Sequence, residues 1–174
     1  MHILRNKMIN LPIISIRSSS RIGETTDFLI DEKNLKIAAA EINSGKTKKY
    51  LLFSDIRNYD STKILVNSIE SLGEKSDMIR LGDLINNQFK LIGAKVETIS
   101  GKKLGKVGNF SFEFSDGYIY KIYVGQNILK NILKTNLIID RDDIIEVTKD
   151  KIIVRDAVVR SSGKVKAVLP LHNT

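Results

Sequence analysis

A single internal spacing limits what this chain can fold into. Gly23 and Gly105, Phe28 and Phe110, and Ile37 and Ile119 each stand 82 residues apart. Residues 100–123, SGKKLGKVGNFSFEFSDGYIYKIY, read as a turn, a strand, a second turn and a strand, and residues 19–43 are a weaker copy of them. Farther along the offset changes. Asp55 and Ile56 match Asp143 and Ile144, and Lys63 to Val66 match Lys151 to Val154, now at 88 residues, so the second copy carries a six-residue insertion. The insertion falls within residues 125–136, GQNILKNILKTN, where Ile128, Leu129, Ile132 and Leu133 have helical spacing. Two copies of one unit imply two small tandem domains.

Within each copy the periodicity is that of strands. Phe110, Phe112 and Phe114 alternate with Ser111 and Glu113, as on a sheet with one face in a core. Residues 35–42 are rich in Ala and could be helical, but their repeat partner, residues 118–124, is rich in β-branched and aromatic residues and argues for strand. Residues 3–9 read as a helical turn or an irregular lead-in, residues 13–16 as a strand, and Ser54-Asp55 as a single helical turn. Hairpin strands follow at 56–59 and 63–66. Gly73 to Ser76 is the linker candidate, residues 77–85 a short helix, and residues 91–96 a strand. Strands this short, with turns this frequent, indicate a mainly β fold of two tandem small β-barrels with short helical insertions, since closing a sheet removes its exposed edges. The expected domains are residues 1–73 and 77–160, followed by a basic tail at 161–174.

Composition narrows the chemistry. There is no Cys, which excludes disulfides, thiolate nucleophiles and thiolate zinc sites, and the only histidines, His2 and His172, lie at opposite ends. No apolar run is long enough to span a bilayer, and the N-terminal stretch is broken by Arg5, Lys7 and Asn10, so a cytoplasmic protein is expected. The net charge of +8 raises attraction to nucleic acid or anionic surfaces, but a solvated lysine-rich surface is the preferred explanation.

The local motifs do not build a catalytic site. Residues 101–106 lack the spacing of a phosphate loop, and a strand-turn-strand has no helix N-terminus to offer a phosphate. Asp140, Asp142, Asp143, Glu146 and Asp150 are interleaved with Arg141 and Lys149, which suits solvated turns better than a cation site. Gly23, Gly101, Gly105 and Gly117 are read as structural turn residues. Two clusters remain as candidate binding surfaces. Lys46, Lys48 and Lys49 with Lys102, Lys103 and Lys106 could form a bipartite basic surface for RNA phosphates. Tyr118, Tyr120 and Tyr123 make their strand apolar on both faces. Strict alternation puts Tyr118 and Tyr120 on one face and Tyr123 with Ile119 on the other. One face must line a barrel, and the other meets the sister domain, a second subunit or a partner.

These residues resemble the PRC-barrel family. Gly101-Lys102-Lys103-Leu104-Gly105-Lys106-Val107 match its Gly-bounded turn, and Asp143-Ile144 with Ile152-Ile153-Val154 match its closing hairpin. The first copy supplies Arg21-Ile22-Gly23 and Asp55-Ile56 with Ile64-Leu65-Val66, departing from the pattern at Ser19 and Thr25. The resemblance implies small barrels like those of a bacterial ribosome maturation factor and of the photosynthetic reaction-centre H subunit, used for docking onto partners and without a cofactor. It leads to the expectation of a non-enzymatic adapter for a protein partner, including one within a ribonucleoprotein, through Tyr118, Tyr120 and Tyr123. The alternative is a direct RNA-binding or ribosome-assembly factor acting through the lysines. The oligomeric state is left open.

Overall fold

The repeat reappears in the hydrogen-bond registers of two seven-stranded sheets. The computed structural model describes residues 1–76, 81–87, 89–125 and 137–158. The first sheet contains β2 (Pro12–Ser15), β3 (Ser20–Asp31), β4 (Lys36–Ser44), β5 (Thr47–Leu52), β6 (Ile56–Tyr59), β7 (Ile64–Val66) and β8 (Leu72–Gly73), in the order β6-β7-β2-β3-β4-β5-β8. The second contains β9 (Lys95–Thr98), β10 (Lys103–Glu113), β11 (Ile119–Gly125), β12 (Leu137–Asp140), β13 (Ile144–Val147) and β14 (Lys151–Val154), in the order β12-β11-β10-β9-β14-β13. Its seventh member is β1 (His2–Leu4), from the other end of the chain, which pairs with β10. The architecture is mainly β, as expected, with two curled sheets in tandem. The expected strand at 35–42 is β4, and the helical turn at Ser54-Asp55 forms over Phe53–Asp55.

Equivalent strands pair in equivalent registers. Ile30 faces Ile37 and Leu29 faces Ala39, while 82 residues on Phe112 faces Ile119 and Ser111 faces Lys121. Each pair of rungs skips one residue, Ala38 in the first copy and Tyr120 in the second, so both copies carry the same β-bulge. A second shared bulge follows, where Thr25–Ile42 and Asp27–Glu41 correspond to Val107–Val124 and Asn109–Tyr123. The closing hairpins match at the later offset of 88, with Ile56–Val66 corresponding to Ile144–Val154.

The two copies meet about a local two-fold relation. The Ile37 amide donates to the Gly117 carbonyl at 2.9 Å, and the Ile119 amide donates to the Leu35 carbonyl at 2.9 Å. These four residues are two repeat-related pairs, and the bridge between them joins Lys36 to Tyr118, which are also repeat equivalents. Both turns at this junction use left-handed backbone, with φ of 76° at Gly117 and 46° at Leu35. In the second copy glycine is required sterically as well, because a Cβ at Gly117 would lie 2.9 Å from the Phe53 ring. Phe53 also packs edge-on against Phe112 at 5.7 Å and Phe114 at 6.0 Å, and Phe28 meets Phe112 at 5.8 Å. One continuous apolar cluster therefore holds Phe28, Ile30, Ile37 and Phe53 from the first copy with Phe110, Phe112, Ile119 and Ile122 from the second.

The segments that lead into each copy cross to the other. β1 extends the edge of β10 beyond the rungs of β9, with Ile3 opposite Phe112 and Leu4 opposite Ser111. The helical turn expected within residues 3–9 forms over Arg5–Lys7, while Ile3 and Leu4 before it belong to β1, which the sequence did not reveal. In the reverse direction α1 (Gly82–Asn87), preceded by Leu81, lays Leu81 and Ile85 on Leu29, Ala39 and Tyr50 of the first sheet. The helix expected over 77–85 thus lies partly outside the described residues, as do the helix expected within 125–136 and the basic tail at 161–174. The strand expected at 91–96 starts later, at Lys95, because Gly93 has φ of 88° and turns the chain just before it.

A shared core and exchanged lead-ins couple the halves, so urea unfolding should be one transition, with tyrosine fluorescence and far-UV circular dichroism coinciding. Gly117→Ala should lower stability by about 2–3 kcal/mol through forbidden backbone and the Phe53 contact. It should shift both probes together; separate transitions for the two halves would contradict the coupling.

Candidate functional site

The strand β11 carries the three tyrosines singled out from the sequence, and the bulge at Tyr120 changes how they are arranged. Ile119, Ile122 and Val124 are buried against the core. Skipping Tyr120 reverses the alternation, so Tyr123 points away from the core and not along with Ile119 as strict alternation requires. Tyr118 lies at the junction of the copies. Its ring is half-buried, with the Lys36 ammonium 4.8 Å and the Arg141 guanidinium 5.1 Å from its centroid. The Arg141 guanidinium donates to the Asn34 carbonyl at 2.6 Å and to the Leu35 carbonyl at 3.0 Å. Arg141 occupies the repeat position of Phe53, so the junction is closed by an aromatic ring on one side and by a cation on the other. Tyr118 is therefore used inside the molecule.

Tyr120 and Tyr123 remain on the outer face of β11. Tyr120 is 40% exposed and meets the His2 ring edge-on at 4.8 Å. Tyr123 is half-buried and directly opposite Ile138 of β12, which is 52% exposed. Lys121 lies between the two tyrosines in sequence and opposite Asp140, to which it is ion-paired at 2.7 Å. That hydrogen bond and the Asp140 charge push the Lys121 ammonium above its ordinary pKa. The face is thus two tyrosines and an isoleucine with one ion pair beside them. Sequence reasoning missed Ile138, whose exposure follows from β12 pairing outside β11 and not from its own pattern, LIID.

The two lysine sets do not share a groove. Lys103 and Lys106 line a groove of about 660 Å³ with Lys95, Lys151, Glu97 and Asp150. Lys151 is ion-paired with Glu97, and Lys102 is exposed at the adjacent turn. Lys48 lies elsewhere, ion-paired with Glu41 at 2.7 Å and 5.6 Å from the Tyr50 ring centroid, while Lys46 is exposed in the β4–β5 turn and Lys49 is half-buried. Among the turn glycines, Gly101 has φ of 83° and Gly117 lies at the junction. Gly23 and Gly105 stand inside β3 and β10 and not in turns. A Cβ at Gly105 would fall 2.2 Å from the Gly125 carbonyl oxygen, so a close strand crossing explains this glycine.

A charged cluster fixes the crossed lead-ins. Asp27 accepts from Arg5 at 2.8 Å and pairs with Lys90 at 3.2 Å, and Lys90 also reaches Glu41 at 3.4 Å. Burial pushes the Asp27 carboxyl up, but its hydrogen bonds to Arg5 and the Phe28 amide, with the Arg5 and Lys90 charges, hold it below the ordinary value. Burial likewise opposes the Lys90 charge, yet Asp27 and Glu41 raise its pKa overall. Among the described residues, no group of three or more His, Cys, Asp or Glu side chains could hold a metal ion.

A model of the PRC-barrel domain matches the chain twice, over residues 2–73 and 87–159. None of the curated proteins compared with the chain matches it. Among the described residues, no helix is long and apolar enough to cross a membrane.

The Asp27 cluster has a defined pH signature. A depressed carboxyl contributes stability above its unfolded pKa of about 3.9 and loses it as pH falls through the lower folded value. Asp27→Asn should cost about 1–3 kcal/mol at pH 7 in urea titrations, and the gap from the parent should narrow as pH drops below 4. A gap that stays constant down to pH 2 would contradict the assignment.

Proposed function

The chain belongs to the PRC-barrel family, in two tandem copies, and from that premise we propose that it is a non-enzymatic docking protein of the cytoplasm that binds a protein partner. The observation that carries this reading is the outer face of the β11–β12 pair, where Tyr120, Tyr123 and Ile138 stand exposed or half-exposed. Exposed aromatic and aliphatic side chains next to one another are the composition of a protein interface centre. Two rigid tyrosine rings supply apolar area at small entropic cost. The strands beneath are anchored in the common core through Ile119, Ile122, Val124 and Ile139.

Direct RNA binding is the second reading, favoured by the groove containing Lys95, Lys103, Lys106 and Lys151. Glu97 and Asp150 in the same groove offset part of that charge, and the tyrosines lie on another part of the sheet. A single-strand binder gains from stacking rings beside its cations, so the two features serve docking better apart than they serve RNA together.

Tagged protein recovered from its native host, with and without ribonuclease and at low and high salt, separates the readings. The docking role is expected to give a protein partner, identified by mass spectrometry, that survives ribonuclease and salt. Tyr120→Ala with Tyr123→Ala should reduce its recovery at least about tenfold. Replacing Lys102, Lys103 and Lys106 together by Ala should leave recovery unchanged. Recovery that collapses with ribonuclease, salt and the lysine variant would establish the RNA reading instead.

A further inference from the structure

The two copies treat one equivalent face in opposite ways. In the first copy the outer face of β4 and β5 is covered by the chain itself. Tyr50 is 6% and Ala39 0% exposed beneath Leu81 and Ile85, the latter on α1. In the second copy Ile138 occupies the position of Tyr50, 88 residues on, and is 52% exposed. Lys121 stands at the position of Ala39 and Asp140 at that of Leu52. The lead-in that crosses to this side is the three-residue strand β1, which pairs along β10 and meets this face with the His2 ring on Tyr120.

We propose that the outer face of β11 and β12 is the docking site for an amphipathic helix of a partner protein, on the face equivalent to the one that α1 and Leu81 cover in the first copy. The proposal rests on the docking reading above and specifies its site and the chemistry of its ligand. The first copy shows what the shared backbone accepts: two apolar side chains four residues apart, Leu81 just before a short helix and Ile85 on it, laid across the paired strands. The partner helix therefore presents two aliphatic residues at i and i+4 to Tyr123 and Ile138. The Lys121–Asp140 ion pair borders this rung, so polar residues of the partner helix flank its aliphatic pair.

The chain supplies its own probe. A fluorescein-labelled peptide of residues 74–90 contains the covering segment with Leu81, Asp83 and Ile85. It cannot displace the resident α1, because a tethered segment competes at an effective concentration in the millimolar range, so saturable binding to the full chain must occur elsewhere. Fluorescence anisotropy should give a Kd of roughly 10–100 μM, the range of a short helix in a shallow groove. Ile138→Lys and, separately, Tyr123→Ala should each weaken binding at least about tenfold. Ile145→Lys, at an isoleucine 51% exposed on β13, should not change it. All three variants should melt cooperatively, and Ile138→Ser replaces Ile138→Lys if the lysine variant does not fold. Absence of saturable binding, or binding indifferent to position 138, overturns the proposal. A dimer in sedimentation velocity that dissociates on Ile138→Lys also overturns it, assigning the face to a second copy of this chain. If native-host recovery of a ribonuclease-resistant partner persists in Ile138→Lys, the docking reading stands and only this site falls. Loss of every protein partner from the parent chain removes the docking reading itself.

Discussion

Two hydrogen bonds between repeat equivalents, Ile37 to Gly117 and Ile119 to Leu35, set the relation on which the rest of the molecule depends. Each contributes only about 1 kcal/mol, so they are not what holds the halves together. They fix where the halves meet, and that placement decides which side chains face each other. With the bridge centred on Lys36 and Tyr118, Phe53 comes under Gly117 and against Phe112, and Phe28 reaches Phe112 from the other side. Each large side chain buried there is worth about 1.5–3 kcal/mol, and the edge-on ring pairs add about 0.5–1.5 kcal/mol each. The energy lies in the rings and the geometry in the backbone.

The crossed lead-ins follow from the same constraint. Once the copies share a core, the segment preceding each one lies closer to its sister's sheet. β1 takes the vacant edge of β10, and α1 covers the outer face of β4 and β5. The Arg5–Asp27–Lys90 cluster then ties both lead-ins to one carboxylate of β3. A charged anchor of this kind adds little net energy to packing, but it penalises any arrangement that leaves Asp27 half-buried without its cations.

The repeat spacing made the succession of strands and turns in each copy legible, and even the six-residue insertion, because equal offsets require equal registers. The bulges were not legible. A bulge is one unpaired residue in a strand whose composition does not change, and Ala38 and Tyr120 share no residue type that would mark it. Missing it reverses the alternation for the rest of the strand, which is why Tyr123 falls on the outer face and not beside Ile119. β1 was hidden for a different reason: three residues carry no periodicity, and the partner rungs at Ser111 to Glu113 lie more than a hundred positions away. Of the candidate site, Tyr120 and Tyr123 could be found from composition. The engagement of Tyr118 needs Lys36 and Arg141, which only the two-fold junction brings to it.

Both copies have the same sheet, and substitutions at several positions separate their outer faces. Where the first copy has Ala39, Tyr50 and Leu52, the second has Lys121, Ile138 and Asp140. The first set can be covered dry and permanently, and it is. The second cannot, because burying the Lys121–Asp140 pair would strip water from two charges whose mutual attraction does not repay that loss at the surface. A cover over this face must leave the ion pair at a wet edge and bury only the Tyr123–Ile138 rung. A small dry centre beside a wet rim allows only modest affinity, so any cover on the second copy would be held more weakly than the one on the first.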